Sequence, residues 1–122
     1  MSQIGQYLLT GFVPAVTWNF IPGNTVNIDP GNGYVLENAG LTTALLPAAC
    51  TAGMIIRIVD VGGLFIIDQN AGQSIDFGNT SSTPGVLGSV ASTMQFDALE
   101  LLCIVDNTEF VVLSSVGNFT VA

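Results

Sequence analysis

Histidine and lysine are absent from this 122-residue chain, and a single arginine, Arg57, is its only cation. Without an imidazole or a lysine amine, imidazole base catalysis and Schiff-base chemistry are excluded. Zinc has no ligand set either: the two cysteines, Cys50 and Cys103, lie in no Cys-x-x-Cys or Cys/His spacing. One cation against nine carboxylates gives a net charge of −8. Nucleic-acid binding needs Lys and Arg to displace counterions from phosphates, so that class is excluded, and binding to anionic lipid is disfavoured for the same reason.

Charge of either sign is scarce. Charged residues make up 8% of the chain and apolar ones 49%, against a usual charged share of about a quarter. Such a chain either sits in a membrane or hides apolar surface in an oligomer. The longest uncharged stretch, Met1 to Ile28, is broken by Gly, Pro, Asn, Gln and Thr. It holds no run of 18 apolar residues, so no transmembrane helix is expected. No cationic stretch precedes an apolar one at the N-terminus, so no secretory signal is expected. The oligomer is the better explanation.

What the sequence does have is short β runs with turn residues between them. Gly5, Gly11 and Pro14 prevent a long helix in the first sixteen residues. Residues 1–16 are therefore a lead-in strand or an arm that docks on a neighbour or host surface, anchored by Tyr7, Leu8, Leu9, Phe12 and Val13. Residues 17–122 form one β domain. Strands are expected at Thr17 to Ile21, Thr25 to Ile28, Tyr34 to Glu37, Leu41 to Leu46, Met54 to Val59, Leu99 to Val105, Phe110 to Leu113 and Asn118 to Val121. Asn32-Gly33 has the composition of a reversed hairpin turn, and Asp106-Asn107-Thr108 turns the last hairpin. The stretch Leu64 to Phe77 reads as a central hairpin whose turn is Asn70-Ala71-Gly72, and Gly78 to Ser92 as a polar, glycine-rich loop. The whole is all-β: a compact antiparallel β-sandwich, barrel or prism of about ten short strands. The runs at Met54, Leu99 and Phe110 are apolar on both strand faces, which places them in the middle of a sandwich or against an oligomer contact.

Chemistry-bearing constellations are few. Carboxylate-pair catalysis could draw on Asp60, Asp68, Asp76, Asp97, Glu100, Asp106 and Glu109, but most of these sit at strand ends or turns, where solvated acids are ordinary. The expectation is a non-enzyme without a cofactor. Asn27-x-Asp29-x-x-Asn32 and Asp68-Gln69-Asn70 offer oxygen donors that calcium could use, yet neither has the spacing of a known calcium loop, and no metal is assigned. Cys50 and Cys103 are read as buried free thiols, with a disulfide between them as the alternative. Arg57 is either a charge paired within the chain or an intersubunit salt bridge that fixes register about a symmetry axis. Tyr7, Trp18 and Tyr34 are the aromatic candidates for carbohydrate contact, although Trp18 and Tyr34 lie in strands.

One resemblance rests on Gly33-Tyr34-Val35-Leu36-Glu37-Asn38-Ala39-Gly40, Leu45-Leu46-Pro47, Gln69 to Gly78, Gly85, Gly88-Ser89, Phe96 to Cys103 and Gly117 to Val121. Over about Trp18 to Val121 the sequence resembles β-rich domains of bacteriophage tail-fibre-like and other virion surface proteins. It departs at Leu64-Phe65, where that family commonly has Gly-Trp, and carries no coiled-coil or collagen-like shaft. The resemblance implies a phage structural protein, assembled in the host cytoplasm and displayed on the virion surface, and a homotrimer. Its partners would be copies of itself and the major capsid protein or another virion protein. A capsid decoration (cement) protein is the first expectation. A receptor-binding head with Gly78 to Ser92 as its tip is the second, and a fibre subunit polymerising through its N-terminal strand the third.

Overall fold

The computed structural model describes residues 16–122, in which twelve strands and no helix are found. They are β1 (Thr17–Ile21), β2 (Thr25–Asn27), β3 (Asn32–Leu36), β4 (Leu41–Leu45), β5 (Ile55–Asp60), β6 (Leu64–Asp68), β7 (Ser74–Phe77), β8 (Thr80–Ser81), β9 (Ser89–Ser92), β10 (Ala98–Val105), β11 (Glu109–Val116) and β12 (Phe119–Val121). β5 shows why such runs become strands: Ile56, Ile58 and Asp60 point inward and are buried, while Ile55, Arg57 and Val59 point outward and are half-buried. That period of two is the pleat of a sheet with one face on a core.

Two sheets face one another across that core. One has seven strands in the order β1-β3-β5-β10-β11-β7-β8, the other five in the order β12-β9-β6-β4-β2. Neither closes into a barrel. The class is the expected all-β sandwich, but its pairing is mixed, not antiparallel. From β1 to β6 the chain changes sheet at every strand, so β1, β3 and β5 pair in parallel in one sheet and β2, β4 and β6 in parallel in the other. The result is a three-rung coil of two strands per rung. Its turns stack: the Glu37 amide donates to the Ile21 carbonyl and the Val61 amide to that of Leu36. A Cβ on Gly62 would lie 2.3 Å from the Glu37 carbonyl oxygen, so only glycine lets these turns approach. Rungs of unequal length (Thr17 pairs with Asn32, Gly33 with Arg57) leave no periodic trace in the sequence. The second half closes the sheets with antiparallel pairs, β10 with β5 and β11, and β9 with β6 and β12.

Three local expectations are corrected by this topology. Asn32-Gly33 opens β3; the turn before it is Asp29-Pro30-Gly31, with Gly31 at φ 79. Gly78 to Ser92 is not simply a loop, since β8 and β9 lie within it. Leu64 to Phe77 is not a hairpin: β6 and β7 belong to opposite sheets, and Asn70-Ala71-Gly72 carries the chain around the corner between them.

That corner is held by buried amides. Gln69 donates to the carbonyls of Gln73 (2.8 Å), Thr83 (2.9 Å) and Gly85 (2.8 Å) and accepts from the Ser82 hydroxyl. Gln73, 1% exposed, donates to the carbonyls of Pro47 (2.7 Å) and Asn107 (3.1 Å) and accepts from the Asn70 amide (2.8 Å). The Gln73 and Gly85 carbonyls also accept backbone amides, from Gly85 and Gly88, but those of Pro47, Thr83 and Asn107 lie in loops outside any ladder, and a carbonyl left unpaired in the interior costs about 1–3 kcal/mol. Around this knot a single hydrophobic core joins both sheets. It includes Leu36, Ile56, Leu101 and Phe110 from the seven-stranded sheet, and Ala44, Phe65, Ile67 and Val90 from the five-stranded one. Phe65 meets Phe119 edge-on at 6.0 Å.

Candidate functional site

The inner faces of the two sheets are equivalent, and the outer faces are not. On the five-stranded sheet the outward positions mix polar or small residues (Thr25, Asn27, Thr43, Asp68, Ser89, Ala91 and Thr120) with four aliphatic ones, Leu41, Leu45, Leu64 and Ile66. On the seven-stranded sheet they are mainly apolar. β1 contributes Trp18 and Phe20, 44% and 63% exposed. Val35, Ile55, Val59, Leu102 and Val111 continue the face half-buried, and Val116 ends it 65% exposed. Five neighbouring strands at about 4.8 Å spacing make this patch roughly 20 Å wide. The doubly apolar runs are therefore in the middle of one sheet: one row of side chains enters the core, and the other forms this open surface.

One ion pair sits within the apolar face. Register between β5 and β10 sets Glu100 opposite Arg57, and the Arg57 Nε donates to the Glu100 Oε2 at 2.7 Å. The other Glu100 oxygen accepts from the Ser114 hydroxyl at 3.3 Å. Thus the lone cation has its acid in the same chain, and the side chains remain 39% (Arg57) and 18% (Glu100) exposed. Beside the pair, an open groove is bounded by Trp18, Val59, Ala98 and Val116. Trp18 reaches it because β3 has no side chain at Gly33: a Cβ there would lie 2.7 Å from the Trp18 ring and 2.8 Å from Val16. Val16 is 2% exposed but lies outside the hydrophobic core, on this outer side of the sheet. The described chain thus begins at the margin of the apolar face.

No protein-family model matches the chain, and no curated protein matches it significantly.

The remaining sequence candidates are dispersed. Tyr7, Leu8, Leu9, Phe12 and Val13 lie outside the described residues. Asp60 and Asp97 are buried turn-formers: Asp60 Oδ1 accepts the Gly62 and Gly63 amides, and Asp97 Oδ2 those of Thr93 and Met94. Asp106 accepts the Ala52 amide. Asp68 faces outward on the five-stranded sheet. Asp76 and Glu109 meet at the rim of the apolar face, where a hydrogen bond to Asp76, and then the charge of Asp76, holds the Glu109 carboxyl above the usual range. Neither the groove beside Trp18 nor the recess at Asn27 and Asn70 includes that pair.

Among the described residues, no group of three or more His, Cys, Asp or Glu side chains converges as metal ligands would. The two oxygen-donor stretches do meet, along a recess lined by Asn27, Asp29, Pro30, Leu46, Pro47 and Asn70. Asn32 Oδ1 already accepts from the Asn19 side-chain amide at 3.1 Å, and the nitrogens of Asn32 and Asn70 donate to the Pro30 and Leu46 carbonyls. Tyr34 is core, its hydroxyl accepting the Asp29 amide at 2.7 Å and its pKa raised, chiefly by burial. Cys50 and Cys103 are buried free thiols. Burial, and then the neighbouring Cys103 thiol, pushes Cys50 up to about 12, which leaves it almost wholly protonated and inert.

Sequence reasoning missed Glu100 as the partner of Arg57, and the stacking of Trp18 on Gly33. Both depend on cross-strand register. The one available signal was that the outward row of β5 and β10 is as apolar as the inward row except at these two charges.

Proposed function

We propose that this protein is a phage virion structural subunit, a homotrimeric capsid decoration protein on the particle exterior. The observation that carries this reading is the apolar outer face of the seven-stranded sheet. Soluble monomers rarely expose so broad an apolar patch, and where one occurs it marks an interaction surface. The resemblance of Trp18 to Val121 to phage virion surface domains supplies the setting. Val16, the first described residue, lies beside that face, and the sequence ahead of it holds Tyr7, Leu8, Leu9, Phe12 and Val13, the residues an arm reaching a neighbouring protein would use. Catalysis has no support in the dispersed carboxylates.

The test has two parts. Light scattering of the purified protein at several concentrations is expected to give three times the chain mass. The full chain is expected to bind the exterior of undecorated capsids, and a chain lacking residues 1–16 to lose that binding. A monomer at all concentrations, or unchanged capsid binding after the deletion, would count against the proposal. A second reading, a receptor-binding head, draws on exposed Met94 and Phe96, the latter held at φ 72 on the turn that Asp97 braces. Binding to host cells or glycan in place of capsids would select it.

A further inference from the structure

We infer that the outer face of the seven-stranded sheet is the surface through which copies of this chain meet, three such sheets turned inward about a threefold axis. This inference rests on the trimer proposed above and names its contact. The occupant follows from charge. Each copy carries −8, and its other surfaces carry acid with no cation beside it: Asp68 lies on the five-stranded face, Asp29 and Asp106 on loops, and Asp76 with Glu109 at the rim. Between β1 and the centre of β11 the only charges are Arg57 and Glu100, side by side and opposite in sign.

A face of that kind is complementary to itself. Among the described residues the guanidinium bonds a single acceptor, through Nε, so its outward nitrogens are available to Glu100 of the next protomer. Closing the ring makes Arg57 and Glu100 alternate about the axis with no net charge, while Trp18, Val59, Leu102 and Val116 lose their contact with water. A basic partner would be drawn to the acidic rim and loops, and an acidic partner would meet the single, already neutralised, arginine. A second and third copy satisfy both the apolar row and the ion pair.

Trp18 is the only tryptophan in the chain and lies on this face, so its fluorescence reports the contact without a mutation. In the full-length trimer, acrylamide quenching of Trp18 is expected to fall severalfold relative to protein diluted until it dissociates, with emission shifted to the blue. Val59→Lys should yield a folded monomer, checked by circular dichroism, whereas Thr43→Lys on the opposite face should leave the trimer intact. A trimer whose Trp18 stays as accessible as in the dissociated chain overturns this inference while leaving the oligomer standing. Shielding that persists unchanged in the monomer also overturns it, since residues 1–15 of the same chain would then be the cover. A wild-type protein that is monomeric throughout removes the trimer itself.

Discussion

Polarity is inverted between two regions of this molecule. At the corner between β6 and β7, amide side chains are buried; across the outer face of the seven-stranded sheet, apolar side chains are open. Each inversion has a different physical reason. The corner is where the chain leaves one sheet for the other, so ladder bonds end and loop carbonyls from Pro47, Thr83, Gly85 and Asn107 turn inward. Gln69 and Gln73 replace the missing ladder. The face needs no such repair across β3, β5 and β10, because each of these strands is paired on both sides. Its apolar side chains do nothing for the inside of the domain and are free to serve contacts outside it. Buried polarity here belongs to folding, and exposed apolarity does not.

Breaking the corner should therefore have the largest effect on stability. Gln73→Ala removes the donors to the Pro47 and Asn107 carbonyls and the acceptor for the Asn70 amide, the first in the interior and the other two half-buried. A loss of about 3 kcal/mol is expected from two stranded carbonyls and an unpaired amide. Urea unfolding of the variant should show a lower midpoint at unchanged slope. Trp18 emission of the folded state should not move, because the corner and the face do not share side chains.

A smaller effect is expected from a methyl group on the face. In Gly33→Ala the new Cβ collides with the Trp18 ring and with Val16, and overpacking of this kind typically costs about 2 kcal/mol. Its counterpart is Gly23→Ala in the β1–β2 turn, where nothing lies within 4 Å; that variant should unfold at or slightly above the wild-type midpoint. Only Gly33→Ala should alter the Trp18 spectrum. If both variants behave alike, the ring does not rest on Gly33.

The two regions also differed in how far the sequence disclosed them. β1 was visible with its bounds, and the β10–β11 hairpin through Asp106-Asn107-Thr108, because strand alternation and turn chemistry are local properties. The corner was visible as a turn and misassigned as a hairpin. Asn70-Ala71-Gly72 reverses a chain equally well within one sheet or between two, and only the burial of Gln69 and Gln73 separates the cases. Asn32-Gly33 misled for a similar reason, since the left-handed residue of that turn is Gly31. Parallel pairing of alternate strands leaves no local mark at all. On the face, Arg57 was conspicuous as the lone cation, but its acid could be chosen from nine only once β5 and β10 were in register.

The smallest effect lies at the rim, where the apolar face gives way to acid. Glu109 on β11 and Asp76 on β7 stand close enough for the hydrogen bond and charge of Asp76 to raise the Glu109 pKa. The folded chain therefore holds this proton to a higher pH than the unfolded chain does. Between the ordinary glutamate value, about 4.3, and the raised one, the folded state binds more protons, so stability falls as pH rises through that interval. The charge of Asp76 opposes ionisation of Glu109. Glu109→Gln removes the repulsion while keeping a donor for Asp76, and a small upward shift in Tm is expected at pH 7. Below about pH 4 wild type and variant should converge, because glutamate is then protonated in both states. A shift of equal size at both pH values would mean that the gain comes from packing and not from charge, and would remove the acid pair as the boundary of the apolar face.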